Sequence, residues 1–116
     1  MASGRMRRVN AAVREVLSSH IAGQLKDPRI GFVTVTAVET SPDLRHAHVY
    51  VSVLGDHEAR ERALAGLASS RGFLQAKVGS ELALKRTPTL EFVYDESVDR
   101  GMRISRLLAE EGPREP

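Results

Sequence analysis

The chain has 116 residues, of which 41% are hydrophobic and 28% are charged, and this balance predicts one folded domain with an ordinary core. The absence of cysteine excludes a disulfide framework, a thiolate metal site and a cysteine nucleophile. No apolar run approaches the length of a membrane span, and the basic N-terminal residues lack the apolar stretch of a secretory signal. We therefore expect a cytoplasmic protein without a membrane anchor.

The formal net charge is only +2, from 17 Lys and Arg against 15 Asp and Glu, but the charges are unevenly distributed. Residues 1–30 contain six basic and two acidic residues, and residues 69–86 contain four basic residues and one acidic residue. If the fold brings these segments together, they form a surface for phosphate groups; an ordinary solvated surface is the alternative. Their basic residues are Arg5, Arg7, Arg8, Arg14, Lys26, Arg29, Arg71, Lys77, Lys85 and Arg86.

The first predicted element is a helix that ends before the Asp-Pro pair at 27–28, because the residue before proline is pushed out of the helical region. Its apolar stripe recurs at helical spacing and consists of Val9, Ala12, Val13, Val16, Leu17, His20 and Ile21. His20 lies within this stripe, so we expect it to be partly buried and to make a local hydrogen bond.

Two strands are predicted next, from Ile30 to Thr40 and from His46 to Leu54, and the short turn between them predicts an antiparallel hairpin. Apolar residues alternate with polar ones in both strands, except that Val38 breaks the alternation and predicts a bulge near Ala37. One face of the sheet should be buried under helices. The opposite, exposed face should carry Thr34, Thr36, His48 and Tyr50.

Two short helices joined by a tight break at residues 68–72 are predicted after the hairpin. Asp56 is expected to cap the first helix and Ser70 the second, through their side-chain oxygens. A third strand around Leu90–Tyr94 and a last helix that starts near residues 95–97 complete the order α-β-β-α-α-β-α. This order is an α+β domain over residues 1–109, followed by an acidic flexible tail at residues 110–116.

The sequence contains no pattern that indicates catalysis, a cofactor or a metal site. The nucleophile-elbow, zinc-protease and Walker motifs are absent. His46 and His48 share one strand face, but zinc needs three or four ligands, so we interpret the pair as part of a polar sheet face. Most of the five aromatic residues are expected to face the core, so stacking on single-stranded bases is not favoured.

Contact with the nucleic-acid backbone remains possible at the break between the two central helices. Residues 69–73 combine the free amides of a helix start, a small residue that permits close approach, and an arginine. The order of elements around this break resembles a KH-type RNA-binding domain of the bacterial, type II topology. The usual GxxG loop of that domain is absent from this sequence.

More detailed motifs resemble the ribosome-binding factor A family over about residues 5–108. They include the KDPRIG run at residues 26–31, the VTVT run at 33–36, the AHVYVS run at 47–52 and the TPxLxF pattern at 87–92. This family replaces the KH loop by an Ala-x-Gly kink between two helices, which corresponds here to Ser70, Arg71 and Gly72. Serine replaces the alanine, and Gln75 stands where the family often has an arginine.

The resemblance implies a non-enzymatic factor that binds the immature small ribosomal subunit near its decoding-side neck and contacts the ribosomal RNA. It also implies a role in late maturation, including the 5′ end of the RNA, and in growth in the cold. The expected RNA-binding residues are the ten basic residues named above together with Ser70 and Gly72, and we expect a monomer. A KH-like nucleic-acid module or a protein–protein adaptor outside the ribosome is the alternative.

Overall fold

Three helices pack on one face of a three-stranded sheet in residues 3–23 and 27–97, the part of the chain that the computed structural model describes. In chain order the elements are α1 (Gly4–Gly23), β1 (Val33–Thr40), β2 (His46–Val53), α2 (His57–Ser69), α3 (Arg71–Glu81) and β3 (Thr89–Tyr94). This order confirms the α+β prediction. The predicted last helix begins within the described residues, since residues 96–97 are helical, but the rest of it and the acidic residues 110–116 lie outside them.

Both strands of the hairpin are shorter than predicted at the end that lies away from the turn. Strand β1 begins at Val33 instead of Ile30, and β2 ends at Val53, one residue before Leu54. Residues 27–30 form a turn instead of extended chain, because the Ile30 amide donates to the Asp27 carbonyl at 3.1 Å. Ile30 is buried all the same, with 4% of its surface exposed, and belongs to the core.

The centre of the sheet is β2, which pairs antiparallel with β1 and parallel with β3. Its alternate residues are buried against the helices, as predicted. The register between β1 and β2 shifts between Val35 and Ala37, which confirms the predicted bulge. The bulge returns Val38 to the buried face and leaves Ala37 exposed. On the opposite face, Thr34 and His48 are exposed, whereas Thr36 and Tyr50 are only half exposed.

Each edge of the sheet is hydrogen-bonded to a side-chain amide from a helix. On β1, the Thr40 amide donates to Asn10 Oδ1 of α1 at 2.9 Å. On β3, the Leu90 amide donates to Gln75 Oε1 of α3 at 2.9 Å. Thr89 uses its own amide to pair with β2, so the neighbouring Leu90 amide points to the open edge. These two bonds satisfy edge donors that β2 cannot reach.

The apolar stripe of α1 packs on the sheet as predicted, and Val13, Leu17 and Ile21 are buried. His20 is also buried, with 7% of its surface exposed. The Nε2 atom of His20 lies 2.5 Å from the Oε2 atom of Glu81, at the end of α3, so this contact joins α1 to α3. The expected local hydrogen bond of His20 stays a prediction.

The two predicted helix caps have different outcomes. Asp56 caps α2, since its Oδ1 atom accepts the Ala59 amide at 2.9 Å. Ser70 precedes α3, but its side chain makes no capping hydrogen bond. A capping residue needs an extended backbone, whereas Ser70 has φ −93° and ψ 4° and its amide still donates to carbonyls of α2.

The aromatic residues are less buried than predicted. Phe32 is 79% exposed and Phe73 is 42% exposed, so at least these two of the five do not lie in the core. Phe92 and Tyr94 pack partly against the core, and Tyr50 is half-buried. No helix in the described residues is long and apolar enough to cross a membrane.

The two cap positions give a test of the helix boundaries. Replacing Asp56→Ala should lower the free energy of unfolding by about 1 kcal/mol, because the Ala59 amide loses its acceptor. Ser70→Ala is the matched control and should cost markedly less, since it removes no capping bond. Urea unfolding monitored by circular dichroism measures both. Equal losses in the two variants would contradict the assignment of these caps.

Candidate nucleic-acid interface

The predicted break between the two central helices is a single residue, Ser70. Its amide donates to the Gly66 and Leu67 carbonyls of α2, and its own carbonyl accepts the Leu74 amide of α3. One residue therefore closes the last turn of α2 and opens the first turn of α3. The first-turn amides of a helix have no acceptor within that helix, and Ser70 Oγ does not supply one, so this end of α3 favours negatively charged groups.

The loop that precedes β1 packs against the end of α2 beside this break. The guanidinium of Arg29 donates to Ser69 Oγ at 3.1 Å. Close packing continues at Gly66, where an added Cβ would lie 2.7 Å from Cγ1 of Ile30 and 3.4 Å from Cγ of Asp27. The run that begins at Asp27 therefore has a structural role, because it fixes the position of the α2–α3 break relative to the sheet.

Arg29 forms an ion pair with Asp27 inside this loop. Arg29 Nη2 lies 2.6 Å from Asp27 Oδ2, and the Arg29 amide also donates to Asp27 Oδ1. These side-chain and backbone hydrogen bonds from Arg29 lower the pKa of Asp27 from 3.8 to about 2. The same side-chain bond raises the pKa of Arg29. Because the pair carries no net charge at neutral pH, Arg29 adds less positive charge to the surface than the sequence indicates.

One face of α3 contacts α1 and is only partly available to a partner. Phe73, Lys77 and Glu81 share this face because they are spaced four residues apart. Glu81 pairs with His20 of α1, and the His20 ring meets the Phe73 ring edge-on at a centroid distance of 6.1 Å. Lys77 Nζ lies 5.5 Å from the centre of the Phe73 ring, which is a cation–π contact. Lys77 is half-buried, whereas Arg71 is exposed.

The predicted basic residues do not form one compact patch around the break. Lys85 and Arg86 are exposed but lie beyond the other end of α3, a helix about 16 Å long by its 11 residues. Arg7 and Arg14 flank Asn10 on α1 at helical spacing, and Asn10 is bonded to the end of β1. The predicted basic residues of α1 are exposed, namely Arg5, Arg7, Arg8 and Arg14. Lys26 lies outside the described residues.

A second group of basic residues lies where β1 ends and where β2 and β3 begin. The Thr89 amide donates to the Arg45 carbonyl at 2.9 Å, so the segment that carries Lys85 and Arg86 reaches the sheet beside Arg45. Arg45 has 61% of its side chain exposed and pairs loosely with Asp43. Arg45 is not among the residues predicted from the sequence to bind RNA. The available signal was the turn predicted at residues 40–43, because a hairpin turn lies at the same end of the sheet as the start of a strand that pairs parallel with the second strand of the hairpin.

Gln75 has a structural role at the position where the family often has an arginine. Its Oε1 atom accepts the Leu90 amide at the edge of β3. A guanidinium has only donors, so an arginine side chain at this position would not accept that hydrogen bond. Compared with the arginine that the family often has, Gln75 therefore removes a cation and supplies an acceptor that fixes α3 against β3.

The exposed sheet face is polar around His48. His48 pairs with Glu91 on β3, with His48 Nε2 3.3 Å from Glu91 Oε2, and faces Glu39 on β1 across the register. Among residues 3–23 and 27–97, no group of three or more His, Asp or Glu side chains is arranged to hold a metal ion.

The ion pair between Arg29 and Asp27 predicts a specific pH dependence. Because the folded pKa of Asp27 lies below 3.8, the pair stabilises the fold above that pH, and the stabilisation is lost as the pH falls towards 2. Replacing Arg29→Gln should raise the NMR titration midpoint of Asp27 towards 3.8. Asp43 is the internal control, because its lowered pKa arises mainly from Ser41. An unchanged Asp27 midpoint in the variant would contradict the ion pair.

Two glycines of the central helices predict opposite effects on stability. Gly66→Ala should lower the free energy of unfolding by about 1–3 kcal/mol, because its Cβ meets Ile30 at 2.7 Å. Gly72→Ala meets no atom within 4 Å and should raise the free energy of unfolding by up to about 1 kcal/mol through helix propensity. Denaturant unfolding of both variants is the measurement. A Gly66→Ala protein as stable as the unchanged chain would disprove the packing of the loop on α2.

Known proteins are similar to this chain in both sequence and fold. The crystal structure of ribosome-binding factor A from Thermus thermophilus matches with a TM-score of 0.69 and 30% identity, over 77% of this chain and 94% of that chain. The solution NMR structure of a Thermotoga maritima protein, a putative ribosome-binding factor A, matches with a TM-score of 0.71 and 33% identity, over 80% of this chain and 89% of that chain.

A third match is a homology model of the Thermus thermophilus ribosome-binding factor A, fitted into the cryo-EM map of a 30S complex with that factor. It has a TM-score of 0.62 and 31% identity, over 75% of this chain and 91% of that chain. Residues 5–108 match the family described as ribosome-binding factor A. This family match spans α1 to β3, including the break at Ser70, and it confirms the resemblance seen in the sequence motifs. The chain belongs to the ribosome-binding factor A family.

Proposed function

We propose that this protein binds the small ribosomal subunit through ribosomal RNA and assists the late maturation of that subunit, including processing of the RNA 5′ end. It acts as a cytoplasmic monomer, without catalysis or a cofactor, and supports growth in the cold. The observation that carries the proposal is the family match over residues 5–108. The Thermus relative, which was fitted into the map of a 30S complex, supports the choice of the small subunit.

The charge distribution supports a ligand that is rich in phosphate. Arg71 lies beside the first-turn amides of α3, while Lys85 and Arg86 lie near Arg45 at one end of the sheet. We propose that RNA contacts these two basic regions and the exposed arginines of α1. Ser70 and Gly72 contribute by being small, since nothing lies within 4 Å of where a Cβ at Gly72 would point. Arg29 and Lys77 contribute less, because each already has a partner in the fold.

A binding protein without catalytic groups acts on maturation by selecting a conformation. It shifts the equilibrium towards the RNA arrangement that it binds more tightly, and only by as much as the affinities for the two arrangements differ. Separate basic regions suit this role, because they contact phosphates simultaneously only when the RNA has the matching shape. The factor then dissociates when maturation removes that arrangement.

Co-sedimentation with small ribosomal subunits across a salt series tests this proposal. Replacing Arg71, Lys85 and Arg86 together by alanine should weaken binding and flatten the dependence of log affinity on log salt by about 0.7–0.9 for each phosphate that is no longer neutralised. Arg62→Ala, which removes an exposed cation on α2, is the control and should leave the slope unchanged.

Two outcomes of this experiment would count against the proposal at different levels. An unchanged salt slope in the triple variant would contradict the assigned phosphate contacts. Failure of the unchanged protein to bind small subunits at low salt would contradict the ribosomal function itself and would favour a nucleic-acid module or an adaptor outside the ribosome.

A further inference from the structure

Two large apolar side chains project from one end of the sheet. Phe32 is 79% exposed and Leu54 is 75% exposed. The two residues face each other across the hairpin, because the Leu54 amide donates to the Phe32 carbonyl at 3.1 Å and extends the β1–β2 pairing by one step. The alternation of the strands places both on the open sheet face, next to Thr34 and Ser52.

The backbone conformation is constrained on both sides of this pair of residues. Gly31, directly before Phe32, has φ 58°, and Gly55, directly after Leu54, has φ 130°. Residues other than glycine rarely adopt these angles, and a Cβ at Gly55 would also lie 2.7 Å from Cβ of Ala59. The pair is therefore held at a defined position by a ladder hydrogen bond between two turns, although its side chains face solvent.

The size of this pair argues against a protein partner as its occupant. A stable protein interface buries about 800 Å² on each partner, far more than two side chains provide, and the neighbouring residues on this face are polar. A single aromatic ring is sufficient for one nucleobase, because stacking uses only the ring face and accepts any base. An exposed phenyl group on a fixed backbone therefore suits an unpaired base better than it suits a protein surface.

We propose that Phe32 stacks on one unpaired nucleobase of ribosomal RNA when the protein binds the small subunit. This inference rests on the proposed function and adds a base contact to the phosphate contacts described above. Stacking involves no ion pair, so its contribution to affinity does not depend on salt, whereas the contribution of the basic residues does. This difference separates the two kinds of contact in one experiment.

Four variants test the stacking site by co-sedimentation with purified small ribosomal subunits at several salt concentrations. Phe32→Ala and Phe32→Leu should each weaken binding about 5- to 150-fold with an unchanged salt slope, since both remove the ring. Phe32→Tyr keeps an aromatic face and should bind like the unchanged protein. Leu54→Ala is the matched control, because it removes an equally exposed apolar side chain without a ring, and it should also bind normally.

A fluorescent variant gives a direct readout of the contact. The chain contains no tryptophan, so Phe32→Trp introduces a single indole at the proposed stacking position. Its emission should be quenched on addition of small subunits, because a stacked base quenches indole fluorescence. Phe73→Trp places the reporter on α3 against α1 and should be quenched much less. Unfolding curves of each variant confirm that the fold is retained.

Each other pattern of results overturns the inference. Equal loss in Phe32→Leu and Leu54→Ala would indicate an apolar contact with a ribosomal protein instead of a base. Normal binding by both Phe32→Ala and Phe32→Leu would show that this site makes no contact. If the unchanged protein still binds the small subunit, either of these two results contradicts the stacking site but not the proposed function. If the unchanged protein does not bind, the result contradicts both the stacking site and the proposed function.

Discussion

The placement of the basic residues on α1 and α3 depends on how the edge amides of a small sheet are hydrogen-bonded. A three-stranded sheet with helices on one face has unpaired edge amides, which are costly to leave without acceptors. Asn10 of α1 accepts one such amide on β1, and Gln75 of α3 accepts another on β3. These two hydrogen bonds fix the helices in register with the strands. They thereby place Arg7 and Arg14 beside the end of β1 and Arg71 on the side of β3.

The same framework decides which cations are available to a partner. Arg29 is neutralised by Asp27 and contributes to holding the α2–α3 break in place through its hydrogen bond to Ser69. Lys77 lies over the Phe73 ring of its own helix. Arg71, Lys85 and Arg86 remain exposed, but Arg71 lies at the start of α3 whereas Lys85 and Arg86 lie beyond its other end. Phosphates at both ends are more readily supplied by a folded RNA than by a few nucleotides of single strand, which agrees with a subunit as the proposed ligand.

Local sequence patterns predicted the helices and strands, but they could not predict contacts between residues that are distant in the sequence. The order of the elements, the bulge near Ala37 and the break at Ser70 all followed from periodicity and turn-forming residues within a short window. The partner of His20 is 61 residues away, and that of Gln75 is 15 residues away, so neither could be read from spacing. Phe32 shares the open face with Thr34 by the same alternation, but spacing along β1 does not show that no neighbouring side chain covers its ring.

Gly66 and Gly72 show how the structure separates residues needed by the fold from residues that suit a partner. Gly66 is required by the fold, since a side chain there would collide with Ile30 of the loop. Gly72 meets no such obstacle, and glycine in a helix costs about 1 kcal/mol relative to alanine. The isolated fold therefore gives no steric reason for Gly72. Its position one residue after Arg71, at the exposed start of α3, fits a site where a phosphate backbone approaches the helix closely.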